Sequence, residues 1–192
     1  MRGVSSPPDQ IGRAMTTANS TSPGLTGPSS WVLDRAASSA TFRHKQMWGL
    51  VTVRGTLGEL AGSGEVLADG SGRGRLEIDV ASLNTKNKQR DDHLRSADFF
   101  NAAEHPKVII DITSATPQNG DSAQVTGTLT AAGKTRPIAV TATVSEATEQ
   151  AVTLTAEAVI DRADFGMTWN RLGMVTGPAD VTVVARFVPA AS

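Results

Sequence analysis

From Ser38 to Phe187 apolar and polar side chains alternate in run after run, and this feature limits the chain to one class of fold. In an extended strand successive side chains point to opposite faces, so alternation builds one inward and one outward row. The cleanest case runs from Gly72 to Val80, where Leu76, Ile78 and Val80 stand against Arg75, Glu77 and Asp79. A fully charged second row implies one covered and one wet face, the mark of an antiparallel sheet. Ala40, Phe42 and His44 oppose Thr41, Arg43 and Lys45 in the same manner. Further inward rows are Val51, Val53, Gly55 and Leu57, then Val108, Ile110 and Ile112, then Val125, Gly127 and Leu129. Ile138, Val140, Ala142 and Val144 follow, then Val152, Leu154, Ala156, Ala158 and Ile160, and last Val181, Val183, Ala185 and Phe187. Asn119-Gly120-Asp121 and Ala131-Ala132-Gly133-Lys134 supply turn chemistry. No strand-helix repeat demands a parallel sheet, so the expected fold is all-β, an antiparallel barrel of about eight strands.

Alternation lapses once in favour of a helix, between Ser82 and Pro106. Thr85 is the expected N-cap, because its hydroxyl can take one of the unpaired N–H groups of the first turn. Lys88 precedes Asp92 by four residues and Asp91 precedes Arg95 by four, pairs worth ~0.2–0.5 kcal/mol each on a helix surface. Such a helix needs apolar anchors, and Leu94, Phe99 and Phe100 offer them. Pro106 disfavours helix at His105 and returns the chain to a strand near Val108. The segment therefore reads as a short helix plugging or capping one barrel end.

Asn84-Thr85, Arg90-Asp91, His93-Leu94-Arg95-Ser96-Ala97-Asp98-Phe99-Phe100 and His105-Pro106 resemble the central signature of the YceI-like family. Trp31-Val32-Leu33-Asp34, Val53-Arg54-Gly55-Thr56-Leu57, Gly127-Thr128-Leu129-Thr130, Gly133-Lys134-Thr135-Arg136-Pro137 and Asp161-Arg162-Ala163-Asp164-Phe165-Gly166 resemble that family at matching places. The likeness extends from about Trp31 to the C-terminus. It implies a lipocalin-like barrel that encloses a long isoprenoid chain, such as a polyprenyl or quinone tail. One departure is Gln46, which stands where many relatives carry a histidine four residues after the Phe, while His44 lies on the other side of Lys45. Residues 30–192 are the expected barrel domain. Residues 1–29, mostly Ser, Thr, Pro and Gly with Ile11 and Met15 isolated, are expected to be a disordered tail.

The chain of 192 residues suits one domain. Eighteen Lys and Arg balance nineteen Asp and Glu, which leaves no bulk positive field to draw nucleic acid. No cysteine is present, so disulfides and thiolate metal sites are excluded. Met1 to Ser30 lacks the roughly 7–15 residue apolar run of a secretory leader, and the expected compartment is the cytoplasm. No window approaches the ~18 apolar residues of a spanning helix, so membrane contact is expected to be peripheral at most. Nothing demands a homodimer, although an exposed edge or mouth could support one.

Small inward residues, Gly127, Ala142, Ala156, Ala158 and Ala185, leave volume in a barrel whose aromatic content is only 4%. By itself this pattern favours small residues serving curvature around a filled core; the resemblance favours an apolar cavity. The expected ligand-binding wall is then Phe42, Leu76, Ile78, Val80, Ile110, Ile112, Val140 and Leu154. Phe165 is a further expected ligand-binding residue, and Phe100, Met167, Trp169 and Met174 are expected to border the mouth, the methionines being deformable enough to accept varied chain shapes. No cofactor is expected beyond a bound isoprenoid lipid or quinone, and no catalysis.

The competing chemistry is a hydrolytic or metal-assisted enzyme using His93 or His105 with Asp91. Neighbouring helix residues point in different directions, which argues for structural roles. Arg90, Asp91 and Arg95 are likewise expected to tie the helix to the barrel rim, with guanidinium recognition of a polar head as the alternative. A filled barrel serving a purely structural role in stress is a further possibility. Gly62-Ser63-Gly64 and Gly70-Ser71-Gly72-Arg73-Gly74 lack the ending of a phosphate loop and read as turns.

Overall fold

The computed structural model describes residues 29–47, 50–170, 175 and 177–191. The expected N-terminal tail falls outside them except at Ser29, as do Trp48, Gly49, Leu172 and Met174. Among these residues eleven strands form: β1 (Ser29–Leu33), β2 (Ser39–Gln46), β3 (Val51–Leu57), β4 (Leu60–Val66), β5 (Gly72–Asp79), β6 (Leu83–Asn84), β7 (Lys107–Pro117), β8 (Ser122–Ala131), β9 (Lys134–Ala147), β10 (Val152–Ile160) and β11 (Ala179–Pro189). Among the described residues one α-helix forms, α1 (Lys88–Arg95), between β6 and β7.

The sheet closes through the ring β1-β4-β5-β7-β8-β9-β10-β11, whose last member pairs back onto β1. That ring is an antiparallel eight-stranded barrel, as the alternation predicts. Closure removes the unpaired edges within this ring, while β2, β3 and the short β6 continue the sheet outward from β11. One edge of β11 is shared, with Ala179–Val184 on β2 and Phe187–Pro189 on β1. Between β1 and β2 the chain steps through a 3-10 turn, Arg35–Ala37, capped by Asp34, which accepts from Ala36 N at 3.1 Å.

β4 is a strand that sequence reading takes for a turn. Gly62 and Gly64 lie inside it, opposite Leu76 and Gly74 of β5. Gly72 and Gly74 are likewise strand residues, and the turn itself spans Leu67 to Ser71, with Gly70 at φ 79°. Glycine hides a strand because it contributes nothing to alternation, while its bare backbone lets two strands approach closely. Gly127 acts similarly on β8: a Cβ there would stand 2.0 Å from Asp111 O, beside a register shift in β7. Such a bulge bends the strand and helps the sheet curl.

At Val80 the expected strand row ends one residue early. Asp79 accepts from Ala81 N at 2.8 Å and turns the chain into a 3-10 segment, Val80–Ser82. Val80 is buried, but beneath this turn, with its N–H donated to Pro106 O. The main core occupies the end of the barrel around Trp31, Leu33, Leu60, Leu76, Ile78, Leu83 and Phe187. A second cluster, Phe99, Ala131, Phe165 and Met167, lies under the helix side of the barrel. No helix among the described residues is long and apolar enough to cross a membrane.

Candidate functional site

The barrel interior is a cavity of about 770 Å³. Its walls come from the alternating inward rows: Ala40, Phe42 and His44 on β2, Leu76 and Ile78 on β5, Val108, Ile110 and Ile112 on β7. Val125 and Leu129, Ile138, Val140 and Ala142, Leu154, Ala156, Ala158 and Ile160, and Val181, Val183, Ala185 and Phe187 complete them. Alanine at 142, 156, 158 and 185 is where the wall recedes. Gly55 shapes it from below, since a Cβ there would meet the Phe42 ring at 2.3 Å. The volume falls within the ~300–1,000 Å³ typical of ligand sites, and the lining is overwhelmingly apolar.

Among the described wall residues, those exposed to solvent are Met47, Asn87 and Gln89. They come from the end of β2 and the start of α1, so the cavity opens between these two elements. Gln46 and Arg90 border the same opening. Leu50 and Val51 stand exposed next to Met47, Leu50 by 82% of its surface.

A two-piece cap covers this end. Its first piece is α1, capped by Asn87, whose side chain accepts from Arg90 N at 3.0 Å. Thr85, the expected cap, instead serves Asp91: its N–H and hydroxyl donate to Asp91 Oδ1 at 2.9 and 2.5 Å. Arg90 donates to Thr85 Oγ1 at 2.7 Å and to Thr85 O at 2.9 Å. The expected Asp91–Arg95 pair does not form, because buried Asp91 is turned to Thr85 while Arg95 donates to Leu83 O and reaches Asp92 at 3.4 Å. The Lys88–Asp92 pair does form, at 2.7 Å. These bonds tie the helix to the strand before it.

The second piece is the segment after β10. Asp161 caps a 3-10 turn, Arg162–Phe165, and Gly166 follows at φ 76°. Arg162 turns inward and donates to three carbonyls: Met167 O at 2.8 Å, Trp169 O at 2.7 Å and Val175 O at 2.7 Å. Burial pushes its guanidinium below the usual arginine range, against the pull of Asp161. Aromatic contacts join the pieces: the His93 ring meets Phe99 and Trp169 edge-on, with centroids 5.1 and 4.5 Å apart. The Arg162 guanidinium lies 5.9 Å from the Phe99 ring centre.

Of the residues expected to bind ligand, Phe42, Leu76, Ile78, Phe100, Ile110, Ile112, Val140, Leu154, Phe165, Met167 and Trp169 all line the cavity. Val80 does not, for the reason given above, and Met174 lies outside the described residues. The role of Arg162 as organiser of the cap is not legible in the sequence; its one signal is its place in the Asp161-Arg162-Ala163-Asp164-Phe165-Gly166 segment that resembles the family. The mouth residues Gln46, Met47, Asn87 and Gln89 are likewise not legible there, since they lie at the ends of β2 and α1, where periodicity stops.

The groups proposed for catalysis have separate partners. His93 Nε2 lies 3.1 Å from Asp98, Asp91 is held by Thr85, and the His105 ring packs over Gly133 in the β8–β9 turn. Among the described residues no group of three or more His, Asp or Glu is placed to hold a metal ion. A second concavity of about 1010 Å³ lies on the outer faces of β10, β11, β2 and β3. Thr41, Thr52, Thr56 and Thr182 line it together with the Arg43–Asp180 ion pair, a surface unsuited to a long apolar chain.

The pattern that defines the YceI-like domain matches residues 31–188. A curated relative, the UPF0312 protein of Pseudomonas aeruginosa, is 40% identical over 68 residues, 35% of each chain. This chain thus spans about a third of the length of the curated relatives it matches. Burkholderia cenocepacia BcnA has a similar fold, with a TM-score of 0.70 at 22% identity, over 80% of this chain and 98% of that one. A structure described as a polyisoprenoid binding domain from Saccharophagus degradans, implicated in plant cell wall breakdown, gives a TM-score of 0.68 at 17% identity, over 83% and 98%. At these identities the likeness is one of fold. The signature around α1, the closed barrel and a family match running from 31 to 188 agree, and the chain belongs to the YceI-like family.

Proposed function

We propose that this protein is a non-catalytic carrier that sequesters a long isoprenoid lipid, of polyprenyl or quinone-tail type, inside its barrel. The observation that carries the reading is a cavity of about 770 Å³ with apolar walls, whose polar residues other than His44 lie at its mouth and cap. Such a site suits a chain with a long hydrocarbon tail and a small polar end. Each Å² of tail removed from water gains roughly 25 cal/mol, which requires neither a charged partner nor a reaction. The similar fold of a domain described as polyisoprenoid binding supports the choice of lipid class. On this reading the tail lies along Phe42, Leu76, Ile78, Ile110, Ile112, Val140 and Leu154, under a cap formed by Phe100, Phe165, Met167 and Trp169.

Organic extraction of gently purified protein, followed by mass spectrometry, tests this directly. A stoichiometric prenyl lipid is the expected finding. A clean extract together with failure to take up any added prenyl lipid would sink the proposal.

A further inference from the structure

His44 is a polar group set into an apolar wall. It projects inward from β2 on the same face as Ala40 and Phe42, lines the cavity, and is 8% exposed. Its Nδ1 lies 3.1 Å from the carbonyl oxygen of Pro178. A carbonyl only accepts, so Nδ1 must carry the proton and donate. In the neutral ring this leaves Nε2 with a bare lone pair. That atom is buried and has no hydrogen-bond partner among the described residues. Its neighbours along the wall are Val53, Ala179 and Val181, none of which offers a side-chain donor. An unpaired buried acceptor is costly, and its cost is relieved by a partner that brings an O–H or N–H.

We infer that His44 Nε2 selects the head of the bound lipid, accepting a hydrogen bond from a hydroxyl. The chemistry named is an isoprenoid tail ending in a free O–H, which either a prenyl alcohol or the reduced, hydroquinone form of a prenylated quinone supplies. An oxidised quinone carries only acceptor oxygens at its ring and cannot make this bond. His44 stands two residues from Gln46 and three from Met47, both on the cavity wall at the opening, so the hydroxyl lies at the mouth end with the tail running inward. This inference rests on the carrier reading and adds to it the polarity of the head.

The experiment compares all-trans geranylgeraniol with its methyl ether, and a prenylated hydroquinone with its quinone, by titration into the delipidated full-length protein. In at least one pair wild type is expected to bind the free hydroxyl form about 5- to 20-fold more tightly than its capped or oxidised partner, the range set by pairing one otherwise unsatisfied acceptor. In His44→Leu the preference should vanish while the methyl ether still binds. Only one pair showing the preference identifies the source of the hydroxyl. A second readout needs no variant: the Nε2 nitrogen resonance of wild-type His44 should move upfield with the alcohol and stay in place with the ether. Equal affinities in wild type, a preference that survives in His44→Leu, or an unmoved Nε2 resonance each overturns the assignment. Binding of all forms without discrimination leaves the carrier reading intact, whereas binding of none removes both.

Discussion

Ala156→Phe tests whether the barrel volume is where the lipid resides. Ala156 lines the cavity on β10, between Ala142 of β9 and Val183 of β11. Two alanines side by side make this a recess in the wall, and a phenyl ring at 156 would project into the lumen. Displacing about one isoprene unit removes some five carbons of buried tail. At ~0.8 kcal/mol per buried CH₂ this is about 3–4 kcal/mol, or a loss of affinity of a few hundred-fold. The ring enters empty space, so the folded protein should not be overpacked, and its melting temperature should hold or rise. The assay is displacement of a fluorescent prenyl analogue, with thermal melting of the delipidated protein alongside. Lipid affinity unchanged in a variant that melts normally would refute the reasoning, because the tail would then be bound elsewhere.

Arg162→Leu strips the cap of its organiser and leaves the carbonyls of Met167, Trp169 and Val175 without their donor. A loss of about 3 kcal/mol follows, a fall in melting temperature on the order of 5–10 °C, with faster lipid release; an unchanged melt and off-rate would count against the cap. Glu77 accepts from Lys107 and Arg75, which holds its carboxyl below the ordinary 4.5. A lowered folded-state value means stability that is present above the unfolded value and is lost as the pH falls through the folded one. Melts from about pH 6 to about pH 3 should therefore fall more steeply for wild type than for Glu77→Gln, with the two curves converging in acid; parallel curves would contradict this.

The rows of alternating side chains carried the wall of the site into the sequence itself. Leu76 and Ile78, Ile110 and Ile112, or Val140 and Ala142 face inward because a strand has no other way to sort them. Where local chemistry competes with that period, sequence reading slips. Asp79 captures Ala81 N and drops Val80 out of the row; glycines at 62 and 64 conceal β4; Asn87 rather than Thr85 caps the helix, because Thr85 is already engaged by Asp91.

By itself, then, the order of residues determined the antiparallel barrel, the position of α1 and the apolar character of its interior, since each follows from local periodicity and turn chemistry. Tertiary structure alone decided that the interior stays hollow, that the opening lies between Met47 and Gln89, and that Arg162 closes the cap. Those outcomes depend on how residues far apart in the chain meet across a closed sheet. Volume left between facing side chains and carbonyls converging on one guanidinium are properties of that meeting, which no single stretch of sequence contains.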